Sequence, residues 1–401
     1  MQTNDPQAQH IHPVVFLFLM LPYGMLSGNL SVSVAYQLSQ AGVSTAQIGE
    51  LIALGSVPHV WKFLWAPVVD LTWGLKKWYL LTVVIVAAGI VATNSLPATT
   101  ASIPALCVLA VLSNVASTFT GMAVEALMAH GTPADLKGRA AGWFQAGNLG
   151  GAGLGGGLGL WIAQSTSQAW ISGAVLGAIC LLCCAGLLFV ADPKLSRSAQ
   201  GIVRNLLETL KDFWQIARTR MGYLGLLICF LPIGSGAASN LWSAIADDWH
   251  ASADAVATAN GLMTGIGSAI GCIVGGYLCD RMDRKHAYVL FGLFMVACAI
   301  AMGVAPRTQS MYVAFVVTYA FISGLCYAAY SAVVLEAIGK GSAATKYNVF
   351  SSLSNTPIAY MTVILGWAHT QWGAATMLYA EAAAGVIGVL IFAAVVRITK
   401  R

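Results

Sequence analysis

The chain is written twice. Leu21-Pro22-x-Gly24 returns as Leu231-Pro232-x-Gly234, and Asn29-Leu30, Asp70 and Glu125-Ala126 return as Asn240-Leu241, Asp280 and Glu336-Ala337, each 210 or 211 residues later. A repeat of this kind means that one structural unit has been built twice from the same rules. Each copy contains six apolar runs, and a run of about 20 apolar residues is what a helix needs to cross a bilayer. The repeated Asp and Glu stand at the ends of such runs, where a charge is costly and needs a reason.

The spans are expected near 13–37, 46–69, 78–97, 102–128, 139–163, 168–190, 221–245, 255–279, 287–305, 311–338, 347–368 and 374–396. The domain reading is a six-helix bundle over 1–190, a linker over 191–220 and a second six-helix bundle over 221–401. An amphipathic stretch near Ile202–Trp214 reads as a helix lying on the membrane surface. The first span reads as retained rather than cleaved as a signal peptide. Hydrophobic residues make up 58% of the 401 and charged residues only 9%, against roughly 25% in soluble chains. The solvent of most of this chain is therefore lipid. A net charge of +5 is spread over many short loops, which argues against a groove for nucleic acid.

That spread sets the topology instead. With the N-terminus in the cytoplasm, 18 of the 20 Lys and Arg fall inside, leaving Arg307 outside and Lys62 within a span. The reverse orientation would export nearly every positive charge, so both termini are placed inside. Trp161, Trp170, Trp249, Trp367 and Trp372 fall near the outer boundaries and read as interfacial anchors. The nine cysteines lie within apolar runs, so no disulfide framework is expected. Gly151-Ala-Gly-Leu-Gly-Gly156 and Cys180-Leu-Leu-Cys183 imitate dinucleotide and redox motifs, but each lies mid-membrane and is dismissed. No nucleophile–base pair, metal-ligand cluster or phosphate-binding loop appears, so the chain reads as a non-enzyme without a cofactor or metal.

A duplicated six-helix unit is a ground plan of secondary transporters, with the ligand site between the halves. Span five carries Gly147, Gly151, Gly155 and Gly159, and span eight carries Gly267, Gly271 and Gly275. Such stripes let backbones approach closely. Spans five and eight come from opposite copies and are taken as equivalent. They are expected to pack on each other across the interface.

Lys62 is the only Lys or Arg inside a predicted span. It should face water, an acid or an anionic ligand, or snorkel towards the cytoplasmic surface. His59, one turn away, reads as a relay or a cavity-lining side chain.

The loop Gly276-Tyr-Leu-Cys-Asp280-Arg281-Met-Asp283-Arg284-Lys285 resembles the G-x-x-x-D-R-x-G-R-[RK] signature of the major facilitator superfamily, with Asp283 where Gly is usual. Ala66-Pro-Val-Val-Asp70-Leu-Thr-Trp-Gly-Leu-Lys76-Lys77 is its degraded first copy. Lys62-Phe-Leu-Trp-Ala-Pro-Val-Val-Asp70 is similar to the K-F-L-W-[AS]-P-x-x-D stretch of the muropeptide permease and acetyl-CoA transporter branch, as is Pro22-Tyr23-Gly24. Compact siderophore permeases are a further resemblance that fits the length.

The resemblance implies an all-α membrane fold of twelve helices in two pseudo-symmetric bundles. It implies a proton-driven inner-membrane importer of amphiphilic or glycan-containing small molecules, acting as a monomer. A drug-type efflux antiporter, or a non-transporting assembly or sensor protein on the same scaffold, is the alternative. In such halves the first and fourth spans line the cavity. That points to Tyr23, Asn29, Tyr36, Asn114, Asn240, Trp242, Tyr327 and Tyr330, with His59 and Lys62 beside them.

Two charged clusters are expected to hold one face shut. They are Asp70, Lys76, Lys77, Glu125 and Arg139, and then Asp280, Arg281, Arg284, Glu336 and Lys340. An Asp ending one span can face the positive N-terminus of a neighbouring helix. Glu50, His59, Glu125, Glu336 and Glu381 remain open as carriers of a coupled proton.

Overall fold

The computed structural model describes residues 12–166, 168, 170–193, 211, 214–215, 217–338 and 343–398. Lys340 and most of the 191–220 connection, including the start of its expected amphipathic stretch, lie outside these residues. Twelve helical spans follow one another: α1 (Val15–Gln40), α2 (45–71), α3 (Leu75–Ser95), α4 (Thr100–Gly131), α5 (137–165), α6 (Trp170–Phe189), α7 (220–245), α8 (Asp254–Cys279), α9 (Arg284–Val304), α10 (Gln309–Ile338), α11 (343–372) and α12 (374–398). No strand occurs among the described residues.

Eight stretches are long and apolar enough to cross a bilayer by themselves. The last of them holds both α11 and α12, divided at Gly373, whose φ of 80° is open to glycine at little cost. The other three spans are interrupted. α2 tightens into a 3₁₀ turn at Lys62–Leu64, and α5 widens into a π turn at Leu154–Leu158. α7 breaks between Ile228 and Ala237.

The break in α7 falls on the second Leu-Pro-x-Gly copy. The first copy lies inside the unbroken helix Val15–Gly28. The second differs because Gly234 and Gly236 both take positive φ, at 59° and 71°. Carbonyls freed within a membrane need new donors. Tyr288 donates its hydroxyl to the Ile233 carbonyl at 2.6 Å, and Tyr360 donates to that of Phe230 at 3.0 Å.

α5 and α8 do pack across the interface between the halves, but not through the expected stripes. A Cβ on Gly147, Gly151 or Gly155 would strike the carbonyls of Leu17, Leu21 or Met25 on α1. One on Gly267, Gly271 or Gly275 would meet Val317, Phe321 or Leu325 on α10. Both stripes therefore seat a helix within its own half. The cross-half approach uses Gly138, Gly142 and Gly153 against Gly276 and Gly265. There a Cβ would come within 2.9 Å of the facing backbone. Nor are α5 and α8 equivalent under the repeat: the counterpart of α5 on α8 is α11 on α2.

The belt of tryptophans is exposed at Trp161, Trp170, Trp367 and Trp372, whereas Trp249 is fully buried, with the Arg307 guanidinium 4.4 Å from its ring centre. That cation–π contact replaces the interfacial role expected of Trp249. All nine cysteines are free thiols.

Candidate functional site

Between the halves lies a hollow of about 320 Å³, within the usual range of small-molecule sites. Its walls come from α1, α5, α7, α8, α10 and α11, and the described lining carries hydroxyls, amides and aromatic rings without a charged side chain. Asn240, Trp242 and Tyr327 of the expected cavity residues line it. Asn240 donates to the Thr362 hydroxyl at 3.0 Å, and Trp242 packs edge-on against Tyr319, with ring centres 5.0 Å apart. Tyr330 lines a smaller adjoining pocket of about 50 Å³, where its hydroxyl donates to the Phe350 carbonyl at 2.7 Å.

The remaining expected residues are elsewhere. Asn29 is buried and accepts from Asn94 of α3 at 3.1 Å, so it joins two helices instead of facing the hollow. Tyr36 is exposed near the end of α1 and does not line the hollow. Tyr23, His59 and Asn114 form a chain inside the first half. The Asn114 amide nitrogen donates to the Ala110 carbonyl, so its oxygen accepts from His59 Nε2–H at 2.8 Å, and His59 Nδ1 accepts from the Tyr23 hydroxyl at 2.9 Å. That network assigns the histidine tautomer.

Sequence reasoning also passed over a legible signal. Asn260, Thr264 and Ser268 recur every four residues on α8, and all three line the hollow. Spaced so, they share one helix face.

Lys62 faces neither the hollow nor lipid. It is buried between the halves, 3.8 Å from Glu125 of α4, and donates to the Ser351 hydroxyl of α11 at 3.0 Å. Glu125 also accepts from the Asn348 side chain of α11. A charge buried here needs its partner, because removal of one member leaves the other uncompensated. The 3₁₀ turn that begins at Lys62 ends just before Pro67, whose ring suits the first turn of the following helix.

Beyond this pair the same face is closed by two clamps. Asp280 accepts from the backbone N–H groups of Gly138 and Arg139 at 2.7 and 3.1 Å, and from Arg139 Nε at 2.7 Å. Asp70 accepts from the N–H groups of Ala344 and Thr345 at 3.2 and 2.8 Å, and from the Thr345 hydroxyl at 2.7 Å. Each aspartate thus satisfies the first turn of the fifth span of the opposite half, where free N–H groups and the helix dipole favour an anion. Arg139 therefore belongs with Asp280 and not with Asp70 and Glu125. At the two aspartates the expected grouping by half gives way to a crossed one, while the expected partners Arg284 and Glu336 stay together in the second half.

Arg284 pairs with Glu336 at 2.9 Å and donates across the interface to the Ala134 carbonyl at 2.6 Å. Lys137 donates back to the Leu335 carbonyl at 2.7 Å. Arg281 is exposed, and neither it nor Lys76 or Lys77 forms an ion pair among the described residues. Asp283, at the signature's glycine position, caps α9 by accepting from the N–H groups of Lys285 and His286 at 3.0 and 3.1 Å. Partial burial raises its carboxyl, but the His286 N–H and the Lys285 charge outweigh that and hold it below the ordinary carboxylate value.

A profile of the Major Facilitator Superfamily matches residues 16–360. The anhydromuropeptide permease of Escherichia coli K12 is 23% identical over 386 residues, which cover 92% of this chain and 76% of the permease. In fold the chain is similar to the human organic anion transporter MFSD10, with a TM-score of 0.71 at 17% identity over 97% of this chain and 100% of that one. It is similar also to the E. coli fucose:proton symporter FucP, with a TM-score of 0.72 at 15% identity over 96% and 98%. With a matching profile over most of its length, twelve membrane helices and a hollow between two six-helix halves, this chain belongs to the Major Facilitator Superfamily, a family of transporters rather than enzymes.

Proposed function

We propose that the protein is a monomeric, proton-coupled importer of the bacterial inner membrane. It carries an amphiphilic small molecule with a glycan or peptide part, and both its termini are cytoplasmic. The observation that carries this reading is the uncharged polar hollow, closed beyond one end by the Asp70 and Asp280 clamps. With the basic loops placed in the cytoplasm, the clamped face is the inner one and the hollow opens outward.

Rocking of the halves about that hollow then requires the clamps to break while their equivalents form on the other side. Aromatic faces at Trp242, Tyr319 and Tyr327 with hydroxyls and amides between them suit sugar rings, which offer apolar faces and hydroxyl edges. The similarity to an anhydromuropeptide permease supports the same substrate class.

The test is uptake by proteoliposomes under an imposed pH gradient, with an anhydromuropeptide, a ferric siderophore and an acyl-CoA compared. Accumulation of the first that disappears when the gradient is collapsed supports the reading. Uptake unchanged by collapsing it removes proton coupling, and efflux-only activity on apolar cations replaces the importer by an antiporter.

A further inference from the structure

Five side chains stood open as proton carriers, and the structure separates them. Glu50 and Glu336 are exposed. Glu125 is buried beside Lys62, and His59 has a partner on each ring nitrogen. Of the five, Glu381 alone is a buried acid without a cation among the described residues. It is 5% exposed, in the middle of α12. Its Oε1 accepts from the Tyr319 hydroxyl of α10, and its Oε2 has no hydrogen-bond partner among the described residues.

The groups that face it are few. α10 contributes Tyr319, α9 contributes the Cys298 thiol, and α7 contributes backbone near Ala238. No Lys, Arg or His forms an ion pair with it among the described residues. Burying a carboxylate away from any counter-charge is costly, so a buried acid in this position calls for a partner.

Glu381 is nevertheless connected to the hollow. Tyr319 donates to it and also lines the hollow, where Trp242 holds its ring edge-on. We infer that Glu381 is the binding site of the coupled proton, reached from the hollow through the Tyr319 hydroxyl. Loading is a two-step hop: Tyr319 passes its hydroxyl proton to Glu381 and takes the coupled proton from hydronium in the hollow, which is left as neutral water. The net change is one proton gained by the carboxylate. Because Tyr319 and Trp242 are packed together in the wall, a ligand pressed against them displaces the same hydroxyl that holds Glu381. Substrate and proton therefore share one contact.

This inference rests on the proton-coupled reading, and its test is made separable from it. Infrared difference spectra of the full chain in nanodiscs, without substrate, report the carbonyl stretch of a protonated carboxylic acid as pH is raised. The wild type is expected to lose such a band, and Glu381→Gln to lack it. Tyr319→Phe should keep the band but shift it to higher frequency, because the hydrogen bond between the acid group and the Tyr319 hydroxyl is gone. A band unchanged in Glu381→Gln, or one that vanishes in Glu125→Gln instead, overturns the assignment. In the proteoliposome assay with an anhydromuropeptide, Glu381→Gln is expected to lose at least tenfold of the gradient-driven accumulation. A wild type indifferent to the gradient sinks the coupling itself, whatever the spectra show.

Discussion

The two clamps are the same device made with different chemistry. At each, one carboxylate oxygen takes the N–H of the first residue in the turn and the other takes the N–H of the next, together with that residue's own side chain. At Asp280 the third donor is a guanidinium, and at Asp70 it is the hydroxyl of Thr345. Arg139 is 39% exposed at its side chain although the Asp280 carboxylate it meets is only 3% exposed, so water shares the work at the guanidinium alone. Asp70, Ala344 and Thr345 are all buried. The repeat has therefore kept the geometry and the buried carboxylate while exchanging the third donor, and the clamp without a formal cation is the one that leans most on its hydrogen bonds.

The largest expected difference follows from that. Asp70→Ala leaves two buried N–H groups and one buried hydroxyl without an acceptor, for a loss of about 3 kcal/mol in the closed form. Asp280→Ala should lose about 1–2 kcal/mol, since water reaches Arg139. Hydrogen–deuterium exchange of the first turns of α5 and α11 measures both, and the reverse order would break the comparison.

Next comes the backbone. A Cβ on Gly138 would stand 2.6 Å from Asp280 Oδ1, so Gly138→Ala should cost about 1–3 kcal/mol through overpacking. Its counterpart Ala344 already carries a Cβ, and Ala344→Gly should lose roughly 0.5–1 kcal/mol. Thermal unfolding of both variants in detergent separates the two sites.

Smaller again is the pair that only one clamp possesses. Arg284 and Glu336 stand beside Asp280, while Lys76 and Lys77 offer Asp70 no such pair. Glu336→Ala should cost about 0.5 kcal/mol because that carboxylate is more than a third exposed. Arg284→Ala should cost more, since the Ala134 carbonyl is lost as well. Exchange at the first turn of α5 reads both effects.

The least effect is expected of Asp283→Gly, which restores the usual signature. Glycine in a cap position costs only a few tenths of a kcal/mol. The Asp283 carboxyl is held below its unfolded value, near 3.9. Its contribution is therefore present above that pH and fades as pH falls through the lower folded value. A variant with an unaltered acid profile would show the cap to be idle.

Much of the architecture was legible because lipid leaves a chain few choices. Span length, loop charge and the repeated motifs located twelve helices to within a few residues, and isolated Asp70 and Asp280 as charges with a purpose. What was not legible was which neighbour each feature meets. Glycine at every fourth residue announces a smooth face on α5, but α1 and α8 both want one. Lys62 was recognisable as an expensive charge, yet its partners Glu125 and Ser351 lie 63 and 289 positions away. Asn29 looks like a cavity amide until Asn94 claims it. The polar stripe of Asn260, Thr264 and Ser268 is legible from spacing alone, on the same helix as the glycines that face α10.

A continuous helix resists bending because any flexure strains its ladder of amide bonds. The interrupted middle of α7 has already surrendered those bonds, and two tyrosine hydroxyls on other helices hold the orphaned carbonyls. Asn240 and Trp242 sit beyond that joint, so the part of α7 that flanks the hollow follows a break where its counterpart in α1 runs on as helix. The lopsidedness makes the second half the interrupted wall of the chamber.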